Sequence, residues 1–239
     1  MTVTLRKIAY EPATQEAMAR LLHPGDIAFD IGANVGQLTV VMANLAGPAG
    51  WVYAFEANPQ CLPLLQATLR DNGALNCTVV WGAVGAQHGR TRVLYSDERP
   101  GMEWVTSSLD PAWKLPDSGA TRPLETPALR LDAFCRHRNL TPNLLKIDVE
   151  GAEAEVIEGF EADLAATRIH LIAELSCGFT ETSCAAVHSL DRLGYRLALP
   201  DPWRWITAGD FCSARRLERT VVAIHQTRLE EAGGWLPSL

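Results

Sequence analysis

Ten residues, Ile27 to Gly36 with the sequence IAFDIGANVG, constrain the fold of this chain more than any others. The apolar run Ile27–Phe29 ends in Asp30 and opens into Gly32-Ala33-Asn34-Val35-Gly36. A helical pattern follows from about Val35 to Ala46, and Gly47-Pro48 stops it. The spacing predicts a strand, a glycine turn and a helix N-terminus. A strand that is continuously apolar reads as parallel and buried on both faces. A glycine turn that opens a helix aims backbone N–H groups outward, which suits a nucleoside-type cofactor.

The spacing of the glycines narrows that cofactor. A nicotinamide site wants G-x-G-x-x-G, but Asn34 and Gln37 stand where its second and third glycines belong. A P-loop is excluded because no GK[ST] follows. What remains is Asp30-x-Gly32-x-x-x-Gly36, the looser turn of S-adenosylmethionine (SAM) enzymes. That ligand has no pyrophosphate to cradle. It needs close backbone approach for a carboxylate and a sulfonium, and Gly32, Ala33, Asn34 and Gly36 can provide it.

The rest of the chain repeats strand and helix. Pro12–Leu22 reads as a leading helix stopped by His23-Pro24-Gly25. Trp51–Phe55 is a second strand ending in Glu56, and Asn58-Pro59 start a helix whose inner face is Leu62, Leu65 and Leu69. Pro63 sits awkwardly there, since it removes one early helical hydrogen bond. Cys77–Trp81 is a third strand, Ala83-Val84 follow in a turn, and Arg90–Tyr95 is an added strand. Further helices are read at Leu131–Arg138, after Gly151 and at Thr182–Leu193, and strands at Asn143–Ile147 and Ile169–Leu175. The last two strands, Tyr195–Leu199 and Thr220–His225, should form a hairpin at one edge, joined by a segment with Trp203 and Trp205. Residues 97–128 break the pattern with five prolines and Trp104 and Trp113, and read as a long insertion that partly covers the active site. The alternation predicts one α/β domain over residues 1–239, built on a mostly parallel sheet.

Composition limits the partners. With 47% hydrophobic and 21% charged residues the chain is globular. A net charge of −7 without a Lys/Arg block makes it a poor ligand for duplex nucleic acid or an anionic membrane. Six cysteines without a CxxC pair read as reduced core thiols. With no apolar run of membrane-spanning length, the expected location is the cytoplasm.

Two acidic sites stand out. Glu56 lies 20 residues after Gly36 at a strand end, where a carboxylate can accept both ribose hydroxyl protons. Asp30 can orient the turn or the cofactor ammonium, and Ala83 and Val84 can pack against adenine. Lys146, Asp148, Glu150 and Glu153 fall within eight residues at the end of the fourth strand, with Lys146 and Asp148 on one side. Asp148 or Glu150 can take the proton of an acceptor hydroxyl, and Lys146 can anchor the acceptor or hold the acids. Glu153 reads as a charged helix start. Glu174, near the end of the next strand, can join Asp148 in holding Mg2+.

These motifs, taken together, resemble a known family. DIGANVGQL, AFEANP, the AVG after the third strand and LLKIDVEGAEAEVIEG are similar to the FkbM-type methyltransferases over roughly residues 25–176. The resemblance implies a class I SAM-dependent methyltransferase, a Rossmann-like sandwich whose seven-stranded, mostly parallel sheet has an antiparallel edge strand. It implies O-methylation of a hydroxyl on a sugar or other natural-product small molecule. Ser107-Ser108-Leu109 resembles a family signature near the cofactor, which adds Ser108 to the cofactor-binding set. A nitrogen or carbon acceptor, a non-catalytic SAM-binding scaffold and a homo-oligomer stay open.

Overall fold

The fold is described from a computed structural model over residues 10–97, 107–109, 121–177, 181–214 and 217–230. The strands are β1 (Ile27–Ile31), β2 (Trp51–Glu56), β3 (Cys77–Trp81), β4 (Ala83–Val84), β5 (Thr91–Asp97), β6 (Ser107–Ser108), β7 (Thr121–Leu129), β8 (Leu144–Ile147), β9 (His170–Cys177), β10 (Tyr195–Pro200), β11 (Trp203–Ile206) and β12 (Leu217–His225). The helices are α1 (Pro12–Leu21), α2 (Gln37–Ala46), α3 (Leu62–Asp71), α4 (Leu131–Arg138), α5 (Glu153–Glu158), α6 (Glu161–Thr167), α7 (Glu181–Arg192) and α8 (Ala208–Ser213). None of the described helices is long and apolar enough to cross a membrane.

The main sheet runs β11-β10-β12-β9-β8-β1-β2-β3. The five strands from β9 to β3 are parallel, while β12 runs antiparallel to both β9 and β10. The sheet therefore has eight strands rather than seven, and two of them run against the parallel set: β12 inside it and, as expected, a strand at its edge, β11. The extra strand is β11, Trp203-Arg204-Trp205-Ile206, which forms the edge hairpin with β10. By its sequence pattern that segment reads as a connection between the last two expected strands.

Strand alternation sorts the core into two layers. Phe29, Ile31, Phe55, Leu145 and Ile147 face the side covered by α4 to α8. Ala28, Val52, Ala54 and Leu144 face α1, α2 and α3. The central strands are buried on both faces, which accounts for their continuous apolar runs. Phe29, Tyr53, Phe55 and Phe134 interlock edge to face at 5.0 to 5.8 Å between centroids and clamp α4 beneath β1 and β2. Pro63 is no liability. It occupies the first turn of α3, where its N–H would lack an intrahelical partner in any case.

The segment from Ala83 to Leu129 contributes a second sheet, ordered β4-β7-β5-β6. Ala83-Val84 are a short strand rather than a turn, and part of the expected irregular insertion is β6 and β7. Ala128 donates its N–H to the Arg90 carbonyl, so even-numbered residues of β7 face β5. Pro123 and Pro127 are odd-numbered and owe β5 no donor, which makes this strand compatible with its prolines. Trp104 and Trp113 lie outside the described residues.

The cysteines divide. Cys61, Cys77 and Cys135 are free thiols. Cys184 of α7 and Cys212 of α8 form a disulfide, contrary to the expectation of reduced thiols throughout. The pairing depends on the packing of the two helices.

Candidate active site

The parallel registers bring the strand ends to one level. Ile31 pairs with Phe55 of β2 and with Ile147 of β8, and Ile147 pairs with Ala173 of β9. The next residues, Gly32, Glu56, Asp148 and Glu174, therefore share the carboxyl edge of the sheet. Strand order reverses between β1 and β8, and that is where an open α/β sheet forms a binding crevice. A cavity of about 250 Å3 lies there. Its walls include Gly32, Ala33, Asn34, Glu56, Ala83, Val84, Lys146, Asp148 and Glu150 from the predicted set.

The glycine turn is anchored on β2. Gly32 and Ala33 both donate their N–H groups to the Phe55 carbonyl, at 3.0 and 2.9 Å. Gly32 has φ 80°, and a Cβ there would stand 1.7 Å from the carbonyl oxygen of Asp148. No other residue fits, because the turn presses directly on the start of the acidic loop. Gly36, at φ 88°, does not line the cavity. A Cβ on it would meet Leu65 Cδ1 at 2.6 Å, so this glycine lets α3 approach the turn.

Glu56 sits under the turn, 6% exposed. One of its oxygens accepts the Asn34 N–H and the other the Asn58 N–H, each at 2.7 Å. Each carboxylate oxygen keeps a second acceptor position. Burial raises its pKa, against the pull of those two N–H groups. The bonds fix Asn34 in its left-handed conformation, φ 51°.

Beneath the cavity a single cation joins the two halves. Asp30 and Lys146 are register partners on β1 and β8, both turned toward α2. Asp30 is fully buried. Its Oδ2 accepts from the Thr39 hydroxyl at 2.5 Å, and its Oδ1 stands 3.2 Å from Lys146 Nζ. Lys146 Nζ also donates to the Gly32 carbonyl at 3.0 Å and to Asp148 Oδ2 at 3.2 Å. Burial works to lower the Lys146 pKa, but Asp148 and Asp30 outweigh it and raise the value. The two carboxylates and the Gly32 carbonyl around Nζ thus favour the charged form of Lys146. Asp30 lies below the wall rather than on it, so it acts on the turn through Lys146.

The acidic end carries a residue that sequence reasoning missed. Carboxylate oxygens of Glu11, Asp148 and Glu174 lie within 4.8 Å of one another. Glu11 immediately precedes α1 in a left-handed conformation (φ 45°), and the following Pro12, a helix-start residue, is the sequence signal that marks its position. Its neighbour Tyr10 lines the cavity, with its hydroxyl pKa raised by burial and by Glu11. Thr39 was also missed, though a lone hydroxyl on the buried side of an apolar helix is a usable signal. Ser108 is buried and turns its hydroxyl to the Glu150 carbonyl at 2.7 Å, while its neighbours Ser107 and Leu109 face the cavity. Burial pushes the Cys61 thiol on the cavity wall up to about 12, so it supplies no thiolate near neutral pH.

Comparison with known proteins identifies the family and the fold. A model of the FkbM methyltransferase domain matches residues 30–197. The 31-O-demethyl-FK506 methyltransferase FkbM of Streptomyces tacrolimicus is 31% identical over 166 residues, which make up 59% of this chain and 61% of that protein. The match thus spans less than two thirds of that relative's length. Among solved structures, the cofactor-bound Rv0187 from MTB has a TM-score of 0.51 at 14% identity, over 92% of this chain and 83% of that one. An rRNA methylase from Streptococcus thermophilus has a TM-score of 0.50 at 14% identity, over 89% and 93% of the two chains. At such identities the structural likeness is one of fold, that of the class I SAM-dependent methyltransferases.

Proposed function

The chain belongs to the FkbM family of SAM-dependent methyltransferases, and we propose that it methylates a hydroxyl oxygen of a small molecule. The observation that carries this reading is the position of Asp148. It stands at the carboxyl end of β8 on the cavity wall, 21% exposed at its side chain, and is tied through Lys146 to the glycine turn. Transfer to oxygen calls for a proton acceptor next to the donor site, because the acceptor hydroxyl must lose a proton as the new C–O bond forms, and a carboxylate in this position can serve.

The cavity residues fit the cofactor. Gly32 lets the turn backbone approach a ligand closely, and Glu56 has acceptor positions left for two ribose hydroxyls. Ala83 and Val84 offer a small apolar wall for adenine. SAM supplies a methyl group on a sulfonium when bound. Asp148 then orients the acceptor hydroxyl and takes its proton, with Glu150 beside it. Lys146 holds the Asp148 carboxylate in place and couples its position to the turn. Glu11, Asp148 and Glu174 offer the all-oxygen donor set that a hard divalent cation prefers, and Mg2+ held there would acidify the acceptor hydroxyl.

A hydroxyl acceptor is supported by the relative named as a 31-O-demethyl-FK506 methyltransferase. A small neutral acceptor, rather than a nucleic acid, is supported by the net charge of −7 and by the acidic groups around the mouth. The test is transfer of labelled methyl from SAM to a panel of hydroxylated and glycosylated small molecules, with and without EDTA. Methyl ethers should form, and Asp148→Asn should lose at least a hundredfold in rate. Products methylated only at nitrogen or carbon, or an Asp148→Asn enzyme at full rate, would overturn the reading. Activity unchanged by EDTA would remove the metal from it.

A further inference from the structure

Two short segments meet across the cofactor cavity. Ser107 of β6 and Leu109 just after it line one side, and Val149 and Glu150, in the loop after β8, line the other. Ser108 joins them. Its side chain is buried, and its hydroxyl donates to the Glu150 carbonyl at 2.7 Å. The receiving loop has an unusual backbone. Glu150 and Gly151 are both left-handed, with φ 53° and 102°. A non-glycine residue holds that conformation only where its surroundings enforce it.

The enforcing group is Glu153. It is 3% exposed, yet it stands at the N-terminus of α5, where an acidic residue would ordinarily face water. Its Oε1 accepts the Gly151 N–H at 2.9 Å. Its Oε2 is buried and has no hydrogen-bond partner among the described residues. A surface helix-start acid would not take on that desolvation. The side chain folds back under the loop that carries Asp148, Val149 and Glu150.

We infer that Ser108, Glu150, Gly151 and Glu153 form a strap across the cofactor cavity, with Glu153 as the positioning residue that sets how fast S-adenosylhomocysteine leaves. The strap works as one unit. Ser108 pins its outer side to the second sheet, and Glu153 pins its inner side to α5. Losing either bond frees the same backbone turn, so the two losses overlap. The inference rests on the reading that this cavity holds the cofactor.

The experiment is the dissociation rate of S-adenosylhomocysteine, measured by stopped-flow displacement on the full-length protein. Ser108→Ala and Glu153→Ala should each speed release about five- to tenfold, the effect of one hydrogen bond. The double variant should be no faster than about the faster single one, because both bonds hold one element. Glu153→Gln keeps an acceptor for the Gly151 N–H and should stay within about twofold of wild type. If Glu153→Ala does not fold, Ser108→Ala tests the same strap from its other side. Wild-type release from Ser108→Ala would overturn the inference, as would Glu153→Gln releasing as fast as Glu153→Ala. Glu56→Ala separates the two levels. If it leaves affinity unchanged, the cavity reading fails; if it weakens binding while Ser108→Ala releases normally, the strap alone fails.

Discussion

Replacing Lys146 with methionine keeps most of the side-chain volume and removes one buried positive charge. Asp30, with a side chain 0% exposed, then keeps the Thr39 hydroxyl as its side-chain donor among the described residues. Asp148 and the Gly32 carbonyl lose a donor as well. Removing one partner of a buried ion pair costs about 3–5 kcal/mol, because the remaining charge stays desolvated. In a chain of this size that corresponds to a fall of roughly 6–20 °C in Tm. Removing both charges is a different perturbation. The double variant Asp30→Asn, Lys146→Met removes the fully buried carboxylate together with its cation, leaves the partly exposed Asp148 without that donor, and should recover at least half of the loss. Urea unfolding of wild type, both single variants and the double variant gives the full cycle. A Lys146→Met loss below about 1 kcal/mol, or a double variant as unstable as the sum of its singles, would refute the view that Asp30 and Lys146 form one buried unit.

Stability should also depend on pH through the buried acids. Burial raises the Glu153 pKa above its ordinary value near 4.5, so the folded state binds its proton more tightly than the unfolded state. The stability this group contributes is complete below that value and is lost as pH rises through the raised one. Glu153→Gln removes the titration, so its Tm should gain on wild type as pH climbs above the ordinary carboxylate value; a pH-independent difference would contradict the assignment. The Cys184–Cys212 bridge closes a loop with a sequence separation of 28, which in the loop-entropy model stabilises by about 3–4 kcal/mol. Reductant should lower Tm accordingly, and a titration that finds six free thiols in denaturant would contradict the bridge.

The parts legible in the sequence were those set by local chemistry. The first strand, its turn and α2 could be read because a continuous apolar run, glycines at fixed places and Gly47-Pro48 act over a few residues. Alternation alone put Lys146 and Asp148 on one side. Their third partner could not be read, since Asp30 meets Lys146 through the register of β1 against β8, 116 residues apart. Glu11 was overlooked because the stretch before α1 has no periodicity and reaches the site only through the packing of α1. Trp203–Ile206 follows a turn and is four residues long, too short to separate from a loop by pattern. Within Ser107-Ser108-Leu109, strand alternation decides which side chains line the cavity and which, like Ser108, turn to the Glu150 carbonyl, and that alternation is set by the pairing of β6 with β5. The cysteine bridge depends on how α7 and α8 dock, which no local signal encodes.

The central claim is that Glu56 belongs to the cofactor and Asp148 to the acceptor, on one strand edge. Calorimetric titration with S-adenosylhomocysteine tests it most directly, using wild type, Glu56→Ala and Asp148→Asn. Glu56→Ala should bind at least about tenfold more weakly, the loss of two hydrogen bonds to a buried carboxylate, while Asp148→Asn should stay within about threefold of wild type. An unchanged affinity in Glu56→Ala, or a loss confined to Asp148→Asn, would contradict the division of the site.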